Sequence, residues 1–265
     1  MTALAHLWRP PAVWPLGALR MWRRDVVLYS RSWKRNVLPN FFEPILYLVS
    51  LGLGLGVYIG EQILGVDYVE YIAPGLAAVA AMNGAVFETT FNVFVKLRFA
   101  KLYDAVITTP LEPEDVALGE LLWGLTRALI YGMAFVSVML ALGYVSSWAI
   151  VLSPLAILLI ALSFGLIGLI FTSLTPSIDL YSYFFTLFIT PLFLFSGIFF
   201  PVSRLPEAAE PVAWLSPLFH GGELMRALAL TGELGTAGLH ALWLAVFSAI
   251  LFPPAINLMH RRLVT

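Results

Sequence analysis

The stretch that decides the fold is residues 148–174, WAIVLSPLAILLIALSFGLIGLIFTSL, a continuous apolar run without one acidic or basic residue. A helix that crosses a bilayer needs about 20 consecutive, mostly apolar residues. Five further stretches have the same character, at about 40–59, 71–95, 120–143, 181–200 and 238–259. A β-barrel is disfavoured, because its shorter strands would alternate apolar with polar residues. The sequence therefore predicts an all-α, polytopic membrane protein with six transmembrane helices.

The composition of the whole chain favours the same class. Of 265 residues, 60% are hydrophobic and 12% are charged, and the mean hydropathy is +0.88. Soluble domains carry about 25% charged residues, so a soluble protein of this composition would expose large apolar patches. Disordered segments are rich in charge and poor in apolar residues, which excludes disorder. The chain has no cysteine, so disulfides, thiol chemistry and cysteine-ligated metals are excluded.

Basic residues indicate the orientation of the spans, because short cytoplasmic loops are rich in Lys and Arg. In a six-span arrangement one side of the membrane carries the following basic residues: Arg9, Arg20, Arg23, Arg24, Arg31, Lys34, Arg35, Lys96, Arg98, Lys101, Arg261 and Arg262. The loops on the other side hold only Arg204 and Arg226. We therefore expect both termini to face the cytoplasm of a bacterium, with the chain in its cytoplasmic (inner) membrane. No removable signal peptide is predicted.

The N-terminal part, residues 1–39, is predicted to be cytoplasmic, ahead of a transmembrane domain at residues 40–265. Within it, residues 15–37 have apolar positions at helical spacing and arginines on another face, which favours an amphipathic interfacial helix. An ordinary topology signal is the alternative. At the start of the first span, Asn40 and Glu43 have the spacing of a helix-capping pair. Further along that span, glycines every four residues (52, 56 and 60) would let another helix approach closely.

The longest cytoplasmic loop between spans covers residues 96–115. Leu97, Ala100, Lys101 and Asp104 have helical spacing, and Thr109-Pro110 ends the helix. A short charged helix held against the membrane suits docking to a cytosolic partner. A solvated anchor is the alternative for such a charged segment.

Two ionisable residues lie inside predicted spans, Glu88 in the second and Arg127 in the third. Charges within the membrane are costly, so each needs a partner or a wet cavity. Each lies eight residues from the inner end of its span, a depth of about 12 Å. We expect them to form an ion pair or to line one cytoplasm-facing vestibule. The alternative is that either side chain snorkels to the inner headgroups.

Residues 201–237 form the longest outer connection, in which apolar residues alternate with prolines at 206, 211 and 217. Two short helices that dip into the outer leaflet fit this pattern better than a spanning helix, because re-entrant backbone is tolerated where protein buries it. Glu223 and Arg226 are spaced to pair. His220 and Glu223 supply two metal ligands at most, so a structural role is favoured over a metal site.

The sequence contains no recognisable motif for nucleotide binding or for hydrolysis. There is no GxxxxGK[ST] loop, so the chain does not bind ATP in P-loop fashion, and no HExxH or GxSxG motif. The spans carry few polar groups, which argues against a proton-coupled carrier. We therefore expect no catalytic residue, no bound metal and no cofactor held by the chain itself.

Several stretches together resemble the type-2 ABC exporter permeases, the ABC-2 family, and within them the permeases of nodulation-factor-type lipo-oligosaccharide exporters. The stretches that carry the resemblance are Tyr71-Ile-Ala-Pro-Gly-Leu76, Phe87-Glu88, Arg98 with Tyr103-Asp104, Thr109-Pro110-Leu111, Glu114-Asp115, Gly119, Phe195-Ser-Gly-Ile-Phe-Phe-Pro201, Leu205-Pro206, and Ala213-Trp-Leu-Ser-Pro-Leu-Phe-His220 with Glu223 and Arg226. They span the chain from about residue 20 to its end. One departure from the family pattern is Glu120, because many relatives have a basic residue directly after the glycine equivalent to Gly119. The contacts made at this end of the inner loop are therefore left open.

The resemblance implies the permease subunit of an ATP-driven exporter, a homodimer paired with two separate ATPase subunits that bind ATP and Mg. It implies a connecting helix at the N-terminus and a coupling helix in residues 96–111 that docks into the ATPase. The residues assigned to this coupling are Arg98, Lys101, Tyr103, Asp104, Thr109 and Pro110. The outer segment would roof an outer gate, with Pro201, Pro217, His220, Glu223 and Arg226 as its residues.

The substrate implied is amphipathic: a lipo-oligosaccharide, glycolipid, polymer or drug. Aromatic residues of the fifth span could supply an apolar wall for it: Phe184, Phe185, Phe188, Phe195 and Phe199. Ordinary packing is the alternative. An ATP-independent carrier or a membrane scaffold is the alternative function. The sequence leaves open the substrate itself, a homodimer against a heterodimer, and alternating access against lipid extrusion.

Overall fold

The computed structural model describes residues 7–9, 11, 15–31, 33–52, 54, 63, 65–204, 206 and 210–264. Within these residues all regular secondary structure is helical, and the only β-type pairing is one isolated bridge. The helices are α1 (Pro15–Ser30), α2 (Trp33–Leu51), α3 (Tyr68–Arg98), α4 (Leu102–Ile107), α5 (Pro113–Leu142), α6 (Trp148–Leu174), α7 (Asp179–Phe195), α8 (Glu210–Trp214), α9 (Pro217–Arg226) and α10 (Leu234–Val264).

Four helices of the described chain are long and apolar enough to cross a membrane: α3, α5, α6 and α10. They correspond to the predicted second, third, fourth and sixth spans. The long helices extend several residues beyond some predicted ends, because the window of apolar residues is shorter than the helix that carries it. The predicted first and fifth spans contain shorter apolar helices, Phe42–Leu51 and Asp179–Phe195.

The N-terminal helix is shorter than predicted. We expected one helix over residues 15–37, but α1 ends at Ser30 and a new helix begins at Trp33. Asn40 therefore lies inside α2, and the capping role predicted for it with Glu43 is wrong. Two of the glycines proposed as a packing ridge, at 56 and 60, lie outside the described residues.

Helix α1 packs lengthwise on the first turns of α5. A Cβ atom on Gly119 of α5 would lie 2.5 Å from the Cβ of Met21 in α1, and one on Gly17 would overlap the carboxylate of Asp115. Farther along, the Trp22 indole donates a hydrogen bond of 2.9 Å to the Thr126 hydroxyl. The two helices are thus in direct contact over several turns, which small residues make possible.

Helix α3 is the central element of the bundle, with 78% of its most apolar window buried. It crosses α5 closely at Gly84, where a Cβ atom would lie 2.7 Å from the Cα of Ala128. Its helix widens into a π-helical turn at Glu88–Asn92 and then continues to Arg98. Such π turns often mark functional positions in helices.

This crossing predicts opposite effects for two Gly→Ala substitutions. Gly84→Ala is expected to destabilise the protein by about 1–3 kcal/mol, because the backbone of α5 must move away. At Gly238 of α10 nothing lies within 4 Å of the added Cβ. Gly238→Ala is therefore expected to stabilise by about 0.5–1 kcal/mol through helix propensity. Thermal unfolding of the two variants in detergent measures both, and equal midpoints would contradict the close crossing.

The inner loop differs from its prediction in one respect. Residues 97–104 do not form one helix, because Lys101 has a left-handed backbone (φ 46°) that separates α3 from the short helix α4. Helix α4 ends at Ile107, just before Thr109-Pro110, as predicted. The segment 201–237 contains the short helices α8 and α9, and Pro217 starts the second of them.

Candidate functional site

The two intramembrane charges meet at the π-helical turn of α3. Nε of Arg127 lies 2.8 Å from Oε1 of Glu88. The other carboxylate oxygen of Glu88 accepts hydrogen bonds from the Asn92 amide at 2.8 Å and from the Trp123 indole at 3.2 Å. The glutamate is buried, at 6% exposure. The carboxylate is thus paired and hydrogen-bonded, which is the arrangement that a buried charge needs.

The guanidinium of Arg127 lies between two aromatic rings. Its Cζ atom is 4.7 Å from the ring centre of Tyr29 in α1 and 4.8 Å from that of Tyr131. It also donates a hydrogen bond to the hydroxyl of Tyr131. Cation–π contacts of this kind stabilise by about 0.5–2 kcal/mol, more when desolvated. Through Tyr29, the intramembrane ion pair is in contact with the N-terminal helix.

A second buried polar cluster joins four helices at the end of the bundle where α3 meets α4. Nζ of Lys96 in α3 lies 2.7 Å from Glu120 of α5 and 3.2 Å from Asp25 of α1. The phenol of Tyr103 in α4 donates a hydrogen bond of 2.8 Å to Glu120. Glu120 and Tyr103 are fully buried, and Asp25 is 4% exposed. We call these four residues, Asp25, Lys96, Tyr103 and Glu120, the inner cluster.

The inner cluster changes the interpretation of Tyr103. We placed it among residues that dock to a partner, but its side chain faces the permease interior. Burial, and then the adjacent Glu120 carboxylate, raise the pKa of the Tyr103 phenol well above its usual range. The phenol therefore keeps its proton at physiological pH and holds α4 to α5. It positions the short helix rather than presenting a surface.

The other residues predicted for the inner loop lie on its surface. Exposed side chains belong to Arg98, Lys101, Asp104, Thr109 and Pro110. Phe99 is exposed beside them, at 66%. The structure thus separates one anchoring residue from an exposed face that carries both charges and an aromatic ring.

At the opposite end of the bundle, Arg226 of α9 joins three segments. Its Nη2 atom donates hydrogen bonds to Glu223 at 2.7 Å and to the Gly197 carbonyl at 3.0 Å. The pairing predicted for Glu223 and Arg226 is present. The guanidinium also lies 4.6 Å from the ring centre of Tyr71, whose phenol donates to the same carbonyl at 3.1 Å. Helix α9, the start of α3 and the end of α7 are therefore held together here.

Two histidines form a separate contact between α9 and α10. The Nδ1 atoms of His220 and His240 lie 2.8 Å apart, and Nε2 of His220 lies 2.8 Å from the Trp214 carbonyl. Pro217 is buried at the start of α9, and Pro201 is half-buried. Within the described residues, no group of three or more His, Asp or Glu is placed to hold a metal ion.

Three of the phenylalanines predicted as a substrate wall contact one another: the ring centre of Phe184 lies 5.6 Å from that of Phe185 and 5.4 Å from that of Phe188. Phe184 is buried and stacks on Phe171, with ring centres 4.1 Å apart. Phe188 and Phe195 are exposed along a groove against α8, whereas Phe185 stacks on Phe87 and Phe199 contacts Phe193. The five phenylalanines thus include buried and exposed rings, and their use as a substrate wall stays a prediction.

The sequence profile of the ABC-2 type transporter family matches residues 18–230. The chain belongs to this family. It is 34% identical to Nodulation protein J of Sinorhizobium fredii over 252 residues, or 95% of each chain. It is 33% identical to Nodulation protein J of Rhizobium meliloti over 246 residues, 92% of this chain and 93% of the relative. Inner membrane transport permease YadH of Escherichia coli is 24% identical over 202 residues, 76% of this chain and 77% of the relative.

Membership of the ABC-2 family makes the chain a membrane transport subunit, from a family that works with an ABC ATPase. The stretches that resembled this family converge in space. Tyr71, Gly197 and Arg226 meet at one end of the bundle, and Tyr103 and Gly119 lie at the inner cluster or beside it. Glu120, which departs from the residue type of many relatives, has a structural role in this protein. Its carboxylate accepts hydrogen bonds from both Lys96 and Tyr103.

Asp25, Lys96 and His240 were not expected to make these contacts, and the contacts of Glu120 were left open. Lys96 counted as a topology charge, and Asp25 lay among arginines on an amphipathic helix. The only available signal was the unusual carboxylate at the start of the third span, which needs a cation once it is buried.

The ABC-2 permease is expected to lose stability when the outer contact is removed. Arg226→Ala deletes hydrogen bonds from a buried charged donor, and such bonds contribute about 1.5–3 kcal/mol each. The exposed Arg204→Ala, on the same side of the chain, is the matched control. Thermal unfolding in detergent should show a lower midpoint for Arg226→Ala alone; a shift no larger than that of the control would contradict an anchoring role.

Proposed function

We propose that this ABC-2 permease is the transmembrane subunit of an ATP-driven exporter that moves an amphipathic substrate out of the cytoplasm or the inner leaflet. The substrate would be a lipo-oligosaccharide, glycolipid, polymer or drug. Two copies of the permease would pair with two ATPase subunits, which hold the ATP and Mg. The relatives named Nodulation protein J support this proposal, since they match along nearly their whole length.

The observation that carries the proposal is the inner cluster beside an exposed short helix. Lys96, Glu120 and Asp25 join α3, α5 and α1, and Tyr103 fixes α4 to them. A push on α4 would therefore act on three helices at once, because buried hydrogen bonds resist separation. Lys101, Asp104 and Phe99 face outward from this anchor and would contact the ATPase.

The proposed topology has six spans with both termini in the cytoplasm. Residues 1–39 would form the cytoplasmic part with the connecting helix at the membrane surface, and residues 40–265 the transmembrane domain. Helix α9 would be re-entrant from the outer side. Its packing against α3, α6 and α10 supports this, because nine of its ten residues are buried although it is too short to span a membrane.

The outer gate of the exporter would lie where α9 meets the ends of α3 and α7. Pro201, Pro217, His220, Glu223 and Arg226 would form it. The contact of Arg226 with the Gly197 carbonyl supports this role, since it ties α9 to the end of α7. The exposed Phe188 and Phe195 would add apolar surface for a substrate chain.

Co-purification tests the proposal. An affinity-tagged permease, isolated from its own host in mild detergent, is expected to retain a P-loop ATPase. The double variant Lys101→Glu/Asp104→Arg should lose most of the bound ATPase while folding normally, because both side chains are exposed. Arg204→Glu, on the opposite side, is the matched control and should retain it. Absence of any ATPase from the wild-type preparation would favour an ATP-independent carrier or a scaffold and would overturn the exporter proposal.

A further inference from the structure

An open groove runs along an exposed side of α1, next to the face that packs on α5. Its volume is about 420 Å³. The buried face of α1 contacts α5 through small or apolar residues, among them Gly17 and Met21. The groove has a different composition, because four of its six lining residues are basic. They are Arg20, Arg23, Arg24, Val27, Leu28 and Arg31.

Two arginines of the groove have no anionic partner. Arg23, Val27 and Arg31 follow one another at intervals of four residues and so form one ridge. Both arginines are exposed, and within the described part of the chain no hydrogen bond or ion pair reaches either guanidinium. Arg24 differs, since its Nη1 atom lies 3.1 Å from Asp25. Asp25 is the one acidic residue of α1 and is buried, so the groove carries excess positive charge.

Exposed apolar side chains lie between the arginines. Leu16, Leu19, Val27 and Leu28 are all exposed on α1. A phospholipid presents an anionic phosphate next to its acyl chains, and guanidinium groups bind phosphate through paired hydrogen bonds. Helices that combine basic and apolar residues in this way bind anionic lipid surfaces. A partner that is only acidic would match the arginines but leave the apolar side chains in water.

Contacts of α1 place the groove beside the apolar part of the bundle. The Tyr29 ring centre lies 4.7 Å from Cζ of Arg127, and Trp22 donates a hydrogen bond to Thr126. Both partners belong to α5, which is long and apolar enough to cross a membrane. The apolar segment Phe42–Leu51 follows α1 in the next helix. The groove therefore opens next to membrane-embedded surface, where long arginine side chains can reach lipid headgroups.

We propose that this groove binds the phosphate of an anionic phospholipid, with an acyl chain packed on Val27 and Leu28. Arg23 and Arg31 hold the phosphate. A net negative lipid is selected, because the ammonium group of a zwitterionic lipid is repelled by the same arginines. The bound lipid holds α1 against α5, and with it the contact of α1 to the inner cluster. The proposal depends on the membrane location of the chain and not on the transport of any substrate.

Native mass spectrometry of the purified permease tests the site. The protein in dodecyl maltoside is titrated with phosphatidylglycerol or with phosphatidylcholine of the same acyl chains, and bound lipid is counted at each concentration. We expect phosphatidylglycerol to bind about tenfold more tightly or better. Arg23→Gln/Arg31→Gln should weaken its binding about thirtyfold, since each arginine at an anionic lipid surface contributes about a factor of five. Phosphatidylcholine binding should change little.

The matched control is Lys101→Gln/Arg204→Gln, which removes two exposed positive charges from other parts of the chain. It should bind phosphatidylglycerol within about twofold of wild type, because distant exposed charges are screened. The arginines replaced in the groove are exposed, so both double variants should unfold at the same temperature in lipid-free detergent. Added phosphatidylglycerol should raise the midpoint of wild type and control, but not that of Arg23→Gln/Arg31→Gln.

The proposal is overturned if the two lipids bind wild type equally, or if Arg23→Gln/Arg31→Gln binds phosphatidylglycerol like the control. It is also overturned if glycerol phosphate, which lacks acyl chains, displaces the lipid at equal concentration, since the site then takes a small anion. Loss of a co-purifying acidic protein from Arg23→Gln/Arg31→Gln, with lipid binding unchanged, would make the groove a protein interface. The lipid titration contains no ATPase. Failure of this site and failure of the exporter proposal are therefore distinguishable.

Discussion

Arg127→Ala is expected to lower the stability of the permease in detergent strongly. The substitution leaves the Glu88 carboxylate buried without its cation, and breaking a buried pair in this way costs about 3–5 kcal/mol. It also removes the guanidinium from between Tyr29 and Tyr131, which loosens α1. Since most domains are stable by only about 5–15 kcal/mol, this loss is a large fraction of the total. Size-exclusion chromatography after a heating series measures the folded fraction.

A double substitution distinguishes the charge from the packing. Glu88→Leu/Arg127→Met removes both charges, and replacing a buried pair with apolar residues is often neutral or stabilising. The double variant is therefore expected to recover much of the lost stability, which gives a large coupling energy in a double-mutant cycle. Arg204→Ala is the surface control. If Arg127→Ala unfolds no more readily than this control, the ion pair does not stabilise the bundle.

Lys96→Met is expected to have the second large effect. Lys96 lies between two carboxylates, and its removal leaves Glu120 buried without a cation and Asp25 with Arg24 alone, at 3.1 Å. We expect a loss of about 3–5 kcal/mol. The same substitution should also loosen α1, because Lys96 links Asp25 of α1 to Glu120 of α5. Thermal unfolding measures the loss of stability, and limited proteolysis of the N-terminal segment measures the loosening of α1.

The control for Lys96 is the lysine five residues later. Lys101→Met changes an exposed side chain that makes no ion pair in the described part of the chain, so its unfolding midpoint should stay near wild type. Adding Glu120→Gln to Lys96→Met removes one of the two repelling carboxylates while keeping an acceptor for Tyr103. Partial recovery is expected. Equal midpoints for the two single lysine variants would rule out the inner cluster as a stabilising contact.

The depth of Glu88 and Arg127 could be predicted because it depends only on distance along a helix. Each residue adds about 1.5 Å, so counting from the inner ends placed both charges at one level. Whether they faced each other depended on how α3 and α5 are rotated. That rotation follows from the close crossing at Gly84 and Ala128, which no count along the chain contains.

The inner cluster could not be predicted from the sequence. Asp25, Lys96, Tyr103 and Glu120 come from four different helices. The contacts among them form only when these helices pack together in the folded bundle. In the sequence, Lys96 has the same pattern as an ordinary topology charge, and Tyr103 the same pattern as an exposed loop residue. The carboxylate of Glu120 gave the one hint, since a charge at the start of a buried helix requires a partner.

The sequence by itself determined the membrane class, the positions of the long apolar helices, the ABC-2 resemblance and the lack of an ATP loop. These properties depend on local composition and on residues that follow one another along the chain. The tertiary structure alone decided that Tyr103 faces inward, that α1 packs along α5, and that Arg226 ties α9 to the end of α7. The reason is physical: hydrogen bonds and ion pairs act over about 3 Å, so they depend on how helices are rotated and packed.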